Sequence, residues 1–240
     1  MMEEIMEAME SEHKKIRWST VFVLFMVGSL LGVLIEGLWY AFDHGGWETH
    51  VVTIWGPFLI VYGFGMTGCY IGSVLMRKRK WWERFAVFSL IGAAVEFISG
   101  WSILKAFGMR AWDYGGKFLD IMGLTDLNMA LVWGVIGTVF AHAVPYIDNF
   151  MSWFEGGFWK FLITAGTVFM AVDILWTAAV IGRWSARHWG NCSESTISSK
   201  IDELYPDEYM QERYVEWWFS DENGQYDHER KHCTLSNTAW

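Results

Sequence analysis

Hydrophobic and polar positions in this chain fall into long blocks instead of alternating. Apolar runs occupy about residues 18–42, 85–107, 127–144 and 158–181, and a further one follows Trp55-Gly56-Pro57-Phe58 and continues to Met76. A helix needs about 20 apolar residues to cross a bilayer. The pattern therefore predicts an all-α, polytopic membrane helix bundle of about five transmembrane helices, with a short polar tail. It divides the chain into a polar N-terminal segment (1–17), a transmembrane bundle (18–183) and an acidic, aromatic-rich tail (184–240). Proline at position 57 suits the first turn of the second helix, where a missing N–H is tolerated, and Pro145 is expected to end the fourth.

Within the blocks one short pattern occurs twice. Ser29-Leu30-Leu31-Gly32-Val33-Leu34-Ile35-Glu36 returns at 89–96 as Ser-Leu-Ile-Gly-Ala-Ala-Val-Glu. The match predicts two repeated hairpins followed by a fifth helix. A carboxylate at mid-bilayer costs roughly 2.5–3.5 kcal/mol on insertion scales, so it needs a partner or a task. Glu36 and Glu96 are expected to face the bundle interior, because a glycine one turn earlier opens room for a neighbour. Asp173 lies near the middle of the fifth run, and in a five-span chain it shares end-to-end parity with both glutamates. Two readings stand. The three acids meet in one interior site suited to protons or cations, or each is held by a neighbouring Ser, Tyr, Trp or backbone group and fixes helix register. His142, near Pro145, is a fourth candidate for such a polar site, or a structural histidine bonded to a carbonyl.

Composition supports the membrane reading. The chain of 240 residues is 53% hydrophobic and holds 17 Trp, many at the edges of apolar runs, among them Trp18, Trp39, Trp55, Trp81 and Trp153. Aromatic belts at bilayer interfaces produce that distribution. The net charge of −9 gathers at the chain ends and argues against nucleic acid as a partner. Three cysteines are too few for a metal cluster, and no cofactor is expected.

The polar stretches carry the orientation signals. Residues 1–17 lack the basic start and small-residue cleavage site of a secretory signal, so they are expected to be retained; Ile5, Met6 and Met9 share one face of a short helix. Lys14, Lys15, Arg17 and the run at 77–80 place those ends in the cytoplasm, which sends the tail across and permits a Cys192–Cys233 disulfide. Arg183 and Arg187 oppose that orientation. The loop 108–126, with Trp112-Asp113-Tyr114 at its centre, is expected to fold as a cap over the helix ends. Ile197, Ile201 and Leu204 have helical spacing.

Motifs of soluble catalysis are missing: no phosphate loop, no Gly-x-Ser-x-Gly elbow and no His-Glu-x-x-His helix occurs. The chain is not expected to be an enzyme. What does occur, in order, is a first helix with Gly-x-x-x-Glu, then Gly56-Pro57-Phe58 with Tyr62-Gly63, a second glutamate helix, Trp112-Asp113-Tyr114, Gly123, and a span with Trp133-Gly134. In this order the chain resembles the ABC-transporter type IV family of bacterial integral-membrane permeases, over about residues 18–182. It departs from that pattern in lacking a base before Gly56 and in carrying Leu124 after Gly123. The resemblance implies a multi-pass permease-like transport component of the cell membrane. Its partners would be the lipid bilayer and either a separate ATPase subunit or further copies of itself. The rival is a non-transport assembly, sensing or envelope factor that binds partners through loop 108–126 and the tail.

Overall fold

A computed structural model describes residues 16–48, 50–154, 156–191 and 195–220. The surface-helix expectation at Ile5, Met6 and Met9 and the Cys192–Cys233 pairing lie outside the described residues. Five helices form the bundle: α1 (Trp18–His44), α2 (Ile60–Leu75), α3 (Trp81–Phe107), α4 (Leu127–Met151) and α5 (Gly157–His188). Two short helices, α6 (Thr196–Leu204) and α7 (Asp207–Arg213), form the tail. Strand β1 (Met109–Arg110) pairs antiparallel with β2 (Trp218–Phe219) and ties the tail to the end of α3. The expected all-α membrane bundle is what the chain forms.

Four segments, Trp18–His44, Trp81–Phe107, Leu127–Phe154 and Gly157–His188, are long and apolar enough to cross a membrane. At 1.5 Å per residue, a helix of 27 residues reaches about 40 Å, against a hydrocarbon core of about 30 Å. Large apolar side chains such as Leu34, Leu38, Val139, Phe161 and Leu175 stay exposed on these helices, which suits contact with lipid. Helix α2 is shorter, with 16 residues, or about 24 Å. It starts only at Ile60, so Pro57 does not occupy its first turn as expected. The cause is local: Gly56 adopts φ +86°, the Val52 N–H donates to the Phe58 carbonyl, and the Leu59 N–H donates to the Ser29 carbonyl. Residues 51–59 thus lead into α2 beside α1 as ordered, non-helical chain.

Pro145 does not end the fourth helix either, since α4 runs through it to Met151. Spanning helices tolerate an internal proline when neighbours satisfy the freed groups. The extension carries an anchor: buried Asp148 accepts from the Tyr70 hydroxyl at 2.9 Å, and its carbonyl accepts from Arg17 at 3.1 Å. Helix α5 continues to His188 because Val180, Ile181 and Trp184 are buried in a cluster with Ile201, Met210, Tyr214 and Phe219 of the tail.

The bundle is organised as two close antiparallel pairs, α1 with α2 and α3 with α4, and small residues let them approach. A side chain at Gly63 would strike Ser29 and Phe25, and one at Gly134 would strike Ser89 and Phe85. Likewise Gly32 lies against the Tyr62 ring and Gly92 against the Trp133 indole. Both pairs thus use one scheme, a glycine one turn before a glutamate covered by the aromatic of an aromatic–glycine pair. Close backbone approach of this kind drives helix association in lipid, where apolar surface alone gives no preference. Replacing Gly92 by Val is expected to lower stability by about 1–3 kcal/mol through overpacking against Trp133. Leu90→Val, at an exposed position of the same helix, is expected to change it by no more than about 0.5 kcal/mol. Thermal unfolding of the two purified variants in one detergent checks the difference.

Candidate functional site

Helices α1, α3 and α5 run in one direction, so their C-terminal ends gather with the loops 45–59 and 108–126 and the tail. Two of the predicted acids meet there. The Tyr62 hydroxyl donates to Glu36 Oε1 at 2.5 Å. Glu96 accepts from Trp133 Nε1 at 3.0 Å and from the Thr125 hydroxyl at 3.0 Å. Glu36 is partly buried and Glu96 only 5% exposed. Both line a cavity of about 210 Å³. Neither points into lipid, and each is held by an aromatic donor from the helix paired with its own.

Loop and tail build part of the cavity wall. Trp112 and Tyr114 lie on its wall, as do Arg213, Tyr214 and Trp217 of the tail. The loop is ordered by its own hydrogen bonds. Trp112 Nε1 donates to the Leu124 carbonyl at 2.9 Å, and the Tyr114 N–H donates to the Gly123 carbonyl at 2.8 Å. Asp113 accepts from the Gly115 N–H at 2.8 Å and lies 3.6 Å from Arg110. Gly123 takes φ +68°, and its N–H donates to Asp120 at 3.0 Å. Burial, followed by the charges of Glu96, Glu36 and Asp126, holds the Tyr114 phenol well above its usual pKa. That ring stays neutral while facing both carboxylates.

The other two candidates lie elsewhere. Asp173 does not line the cavity; it is fully buried in α5 against the non-helical segment 51–59. It accepts the Trp55 N–H at 3.0 Å, and one turn on, the Thr177 hydroxyl accepts the Ile54 N–H at 2.8 Å. Arg213 completes the same support, donating to the carbonyls of Thr53 and Gly56, the latter at 3.0 Å, while the Tyr214 hydroxyl donates to the Val52 carbonyl at 2.8 Å. His142 is exposed on α4, towards the opposite end of the bundle. Of the motif residues, Tyr62, Trp112, Tyr114 and Trp133 reach the cavity. Gly56, Pro57 and Phe58 shape the supported segment, and Gly63 serves the α1–α2 contact.

Sequence reasoning missed Thr125, Thr177, Arg213 and Tyr214, together with His50, Glu48 and Glu216 on the cavity wall. Only Thr177 carried a local signal, four residues after Asp173 on one helix face. Arg213, Tyr214 and Glu216 belong to a tail whose docking no periodicity reveals, and Thr125, His50 and Glu48 lie in non-helical loops. That docking is polar as well as apolar: Arg183 and Arg187 both pair with Asp202 at 2.5 Å, and Arg187 also pairs with Asp207 at 2.7 Å. A second, apolar cleft of about 650 Å³ lies between α2, α3 and α5, lined by residues such as Phe64, Ile98 and Ile174.

Fold and site together define a polytopic membrane helix bundle with an acidic, aromatic-walled cavity at one end. The profile of the family described as "Putative ABC-transporter type IV" matches residues 23–178, and the chain belongs to that family. No curated protein and no solved structure matches it. The matched region contains Glu36, Glu96 and Asp173 but not Arg213 or Tyr214, which support the same segment from the tail.

Removing the Asp173 carboxylate takes the acceptor from the partly buried Trp55 N–H. Asp173→Ala is expected to lose about 1–3 kcal/mol of stability and to speed amide hydrogen exchange at residues 52–56. Asp173→Asn, which keeps an acceptor oxygen, is expected to lose less. Thermal melting and exchange of both variants decide whether this side chain is a strut for the segment.

Proposed function

We propose that the chain is the membrane-embedded, permease-like component of a transport system in the cell membrane, and that the cavity between Glu36 and Glu96 is its solute site. One observation carries the reading: two helix pairs deliver a carboxylate each, with its aromatic partner, to one cavity at one end of the bundle. Transporters built from two related halves place their sites between those halves. The shared scheme of glycine, glutamate and aromatic supports a duplicated hairpin as the origin of the two pairs.

We assign the chain no catalysis of its own. Energy would come from a separate ATPase subunit docked on the other end of the bundle. The exposed basic residues 77–80 lie there, and an excess of Lys and Arg near span ends marks the cytoplasmic side. The capped end, with its cavity, would then face outward. The rival reading of a partner-binding factor has less support, because Trp112, Tyr214 and Phe219 are spent on the protein itself, although Phe118 of the loop is exposed. Trp112 bonds the loop, while Tyr214 and Phe219 are buried in the tail cluster.

The test is purification of the tagged full chain from its host's membranes in mild detergent after brief cross-linking. ATP hydrolysis is expected to co-purify with it, and to be lost when residues 77–80 are replaced by alanine with the melting temperature unchanged. Preparations that hydrolyse no more ATP than an untagged control would remove the ATPase-coupled reading.

A further inference from the structure

We infer that the Glu36–Glu96 cavity binds a small organic ammonium ion, held between the two carboxylates and an aromatic wall. The inference rests on the cavity's assignment as a solute site and names its ligand class. Charge is the first argument. Glu96 is 5% exposed and receives only neutral donors, Trp133 and Thr125. Glu36 receives the neutral Tyr62 hydroxyl. Among the described residues, no ion pair includes either glutamate. The one arginine on the wall, Arg213, directs its guanidinium to the carbonyls of Thr53 and Gly56. Glu48 and Glu216 add acid to the same wall, and His50, which bonds Glu216 at 2.8 Å, has no partner for its Nδ1 among the described residues. Buried carboxylates without a counter-charge are costly, and a bound cation supplies one.

The wall selects the kind of cation. Tyr62 and Trp133, whose rings lie 6.0 Å apart, face the cavity with Trp112, Tyr114, Tyr214 and Trp217. Aromatic faces attract ammonium groups, most strongly where water is excluded, and several rings together form the usual cage for a quaternary or alkylated ammonium. Burial keeps the Tyr114 and Tyr214 phenols above their ordinary pKa, so these rings add no competing negative charge. A hard metal ion would ask for something different, namely six or more oxygen ligands converging at short range. Among the described residues, no group of three or more His, Cys, Asp or Glu is placed to hold one. Size sets the scale. The volume of about 210 Å³ is below the roughly 300–1,000 Å³ of drug-sized sites, and suits a small ion.

The experiment uses the full chain in nanodiscs of phosphatidylglycerol, which has no ammonium headgroup, and titration calorimetry. Choline and butylammonium are compared with 3,3-dimethyl-1-butanol, the uncharged isostere of choline, and with potassium and calcium. The ammonium ions are expected to bind at least about tenfold more tightly than the isostere, a ratio in keeping with a desolvated charge–charge and charge–ring contact. Glu36→Gln and Glu96→Gln are each expected to weaken choline binding by about tenfold or more. Choline binding no tighter than its isostere overturns the inference, as does tighter binding of potassium or calcium. Equal choline binding by folded Gln variants also overturns it. Should the Gln variants fail to melt cooperatively, the choline–isostere comparison on the unaltered protein decides alone. Ammonium binding without a co-purifying ATPase would end the ATPase-coupled reading and leave this one standing.

Discussion

Non-helical backbone at membrane depth survives only where protein satisfies every N–H and C=O, and residues 51–59 of this chain make that demand. Four side chains from two distant parts of the sequence meet much of it. Asp173 and Thr177 accept the N–H groups of Trp55 and Ile54 from α5, while Arg213 and Tyr214 donate to three carbonyls from the tail. Because the donors sit on the tail, satisfying the segment also brings the tail down onto the bundle. The same tail residues then form part of the wall around Glu36 and Glu96. The supported segment, the docked tail and the tail's share of the cavity wall are thus linked by one hydrogen-bonding requirement.

The two glutamates meet a second version of it. In both helix pairs, a glycine removes the side chain that would block the partner helix, and the aromatic that fills the gap also carries the donor. Tyr62 covers Gly32 and bonds Glu36; Trp133 covers Gly92 and bonds Glu96. Packing and polar satisfaction are thus inseparable here. An indole or phenol is large enough to fill a glycine-lined groove and still reaches a carboxylate one turn away. A leucine would fill the groove and leave the acid unmet, and a serine would do neither.

That economy explains what was legible in the sequence. Apolar blocks and glycine spacing exposed the bundle, its five helices and the two glutamates facing inward, because in lipid these patterns have few other uses. Tyr62 and Trp133 were noticed as motif residues, yet their pairing with the glutamates could not be read, since it links positions 26 and 37 residues apart. Asp173 was grouped with the glutamates by parity along the bundle. Parity places a residue at one end but says nothing of which neighbour it faces, and Asp173 faces the 51–59 segment. Pro57 and Pro145 misled in opposite directions. Gly56 in the left-handed region delays the second helix beyond its proline, while lipid-side tolerance of an internal proline lets the fourth helix continue to Met151.

Arg183 and Arg187 show how a composition rule can conflict with a structural role. Counted as basic residues beside a span, they draw the end of α5 towards the cytoplasm. In the fold they lie one turn apart on α5, largely buried, and both bind Asp202, with Asp207 beyond. Partly desolvated, charge-assisted bonds of this kind are stronger than exposed ion pairs, so these arginines serve to clamp the tail. Residues 77–80 stand differently: all four are exposed at the far end, beyond the last turn of α2. Lys160 and Arg17 lie at that end too, near the starts of α5 and α1. The densest basic cluster thus lies at one end of the bundle, while Lys105, Arg110 and Lys117 are at the other. The 77–80 cluster is opposite the cavity, the arrangement that the proposed outward-facing solute site and inward-facing ATPase partner require.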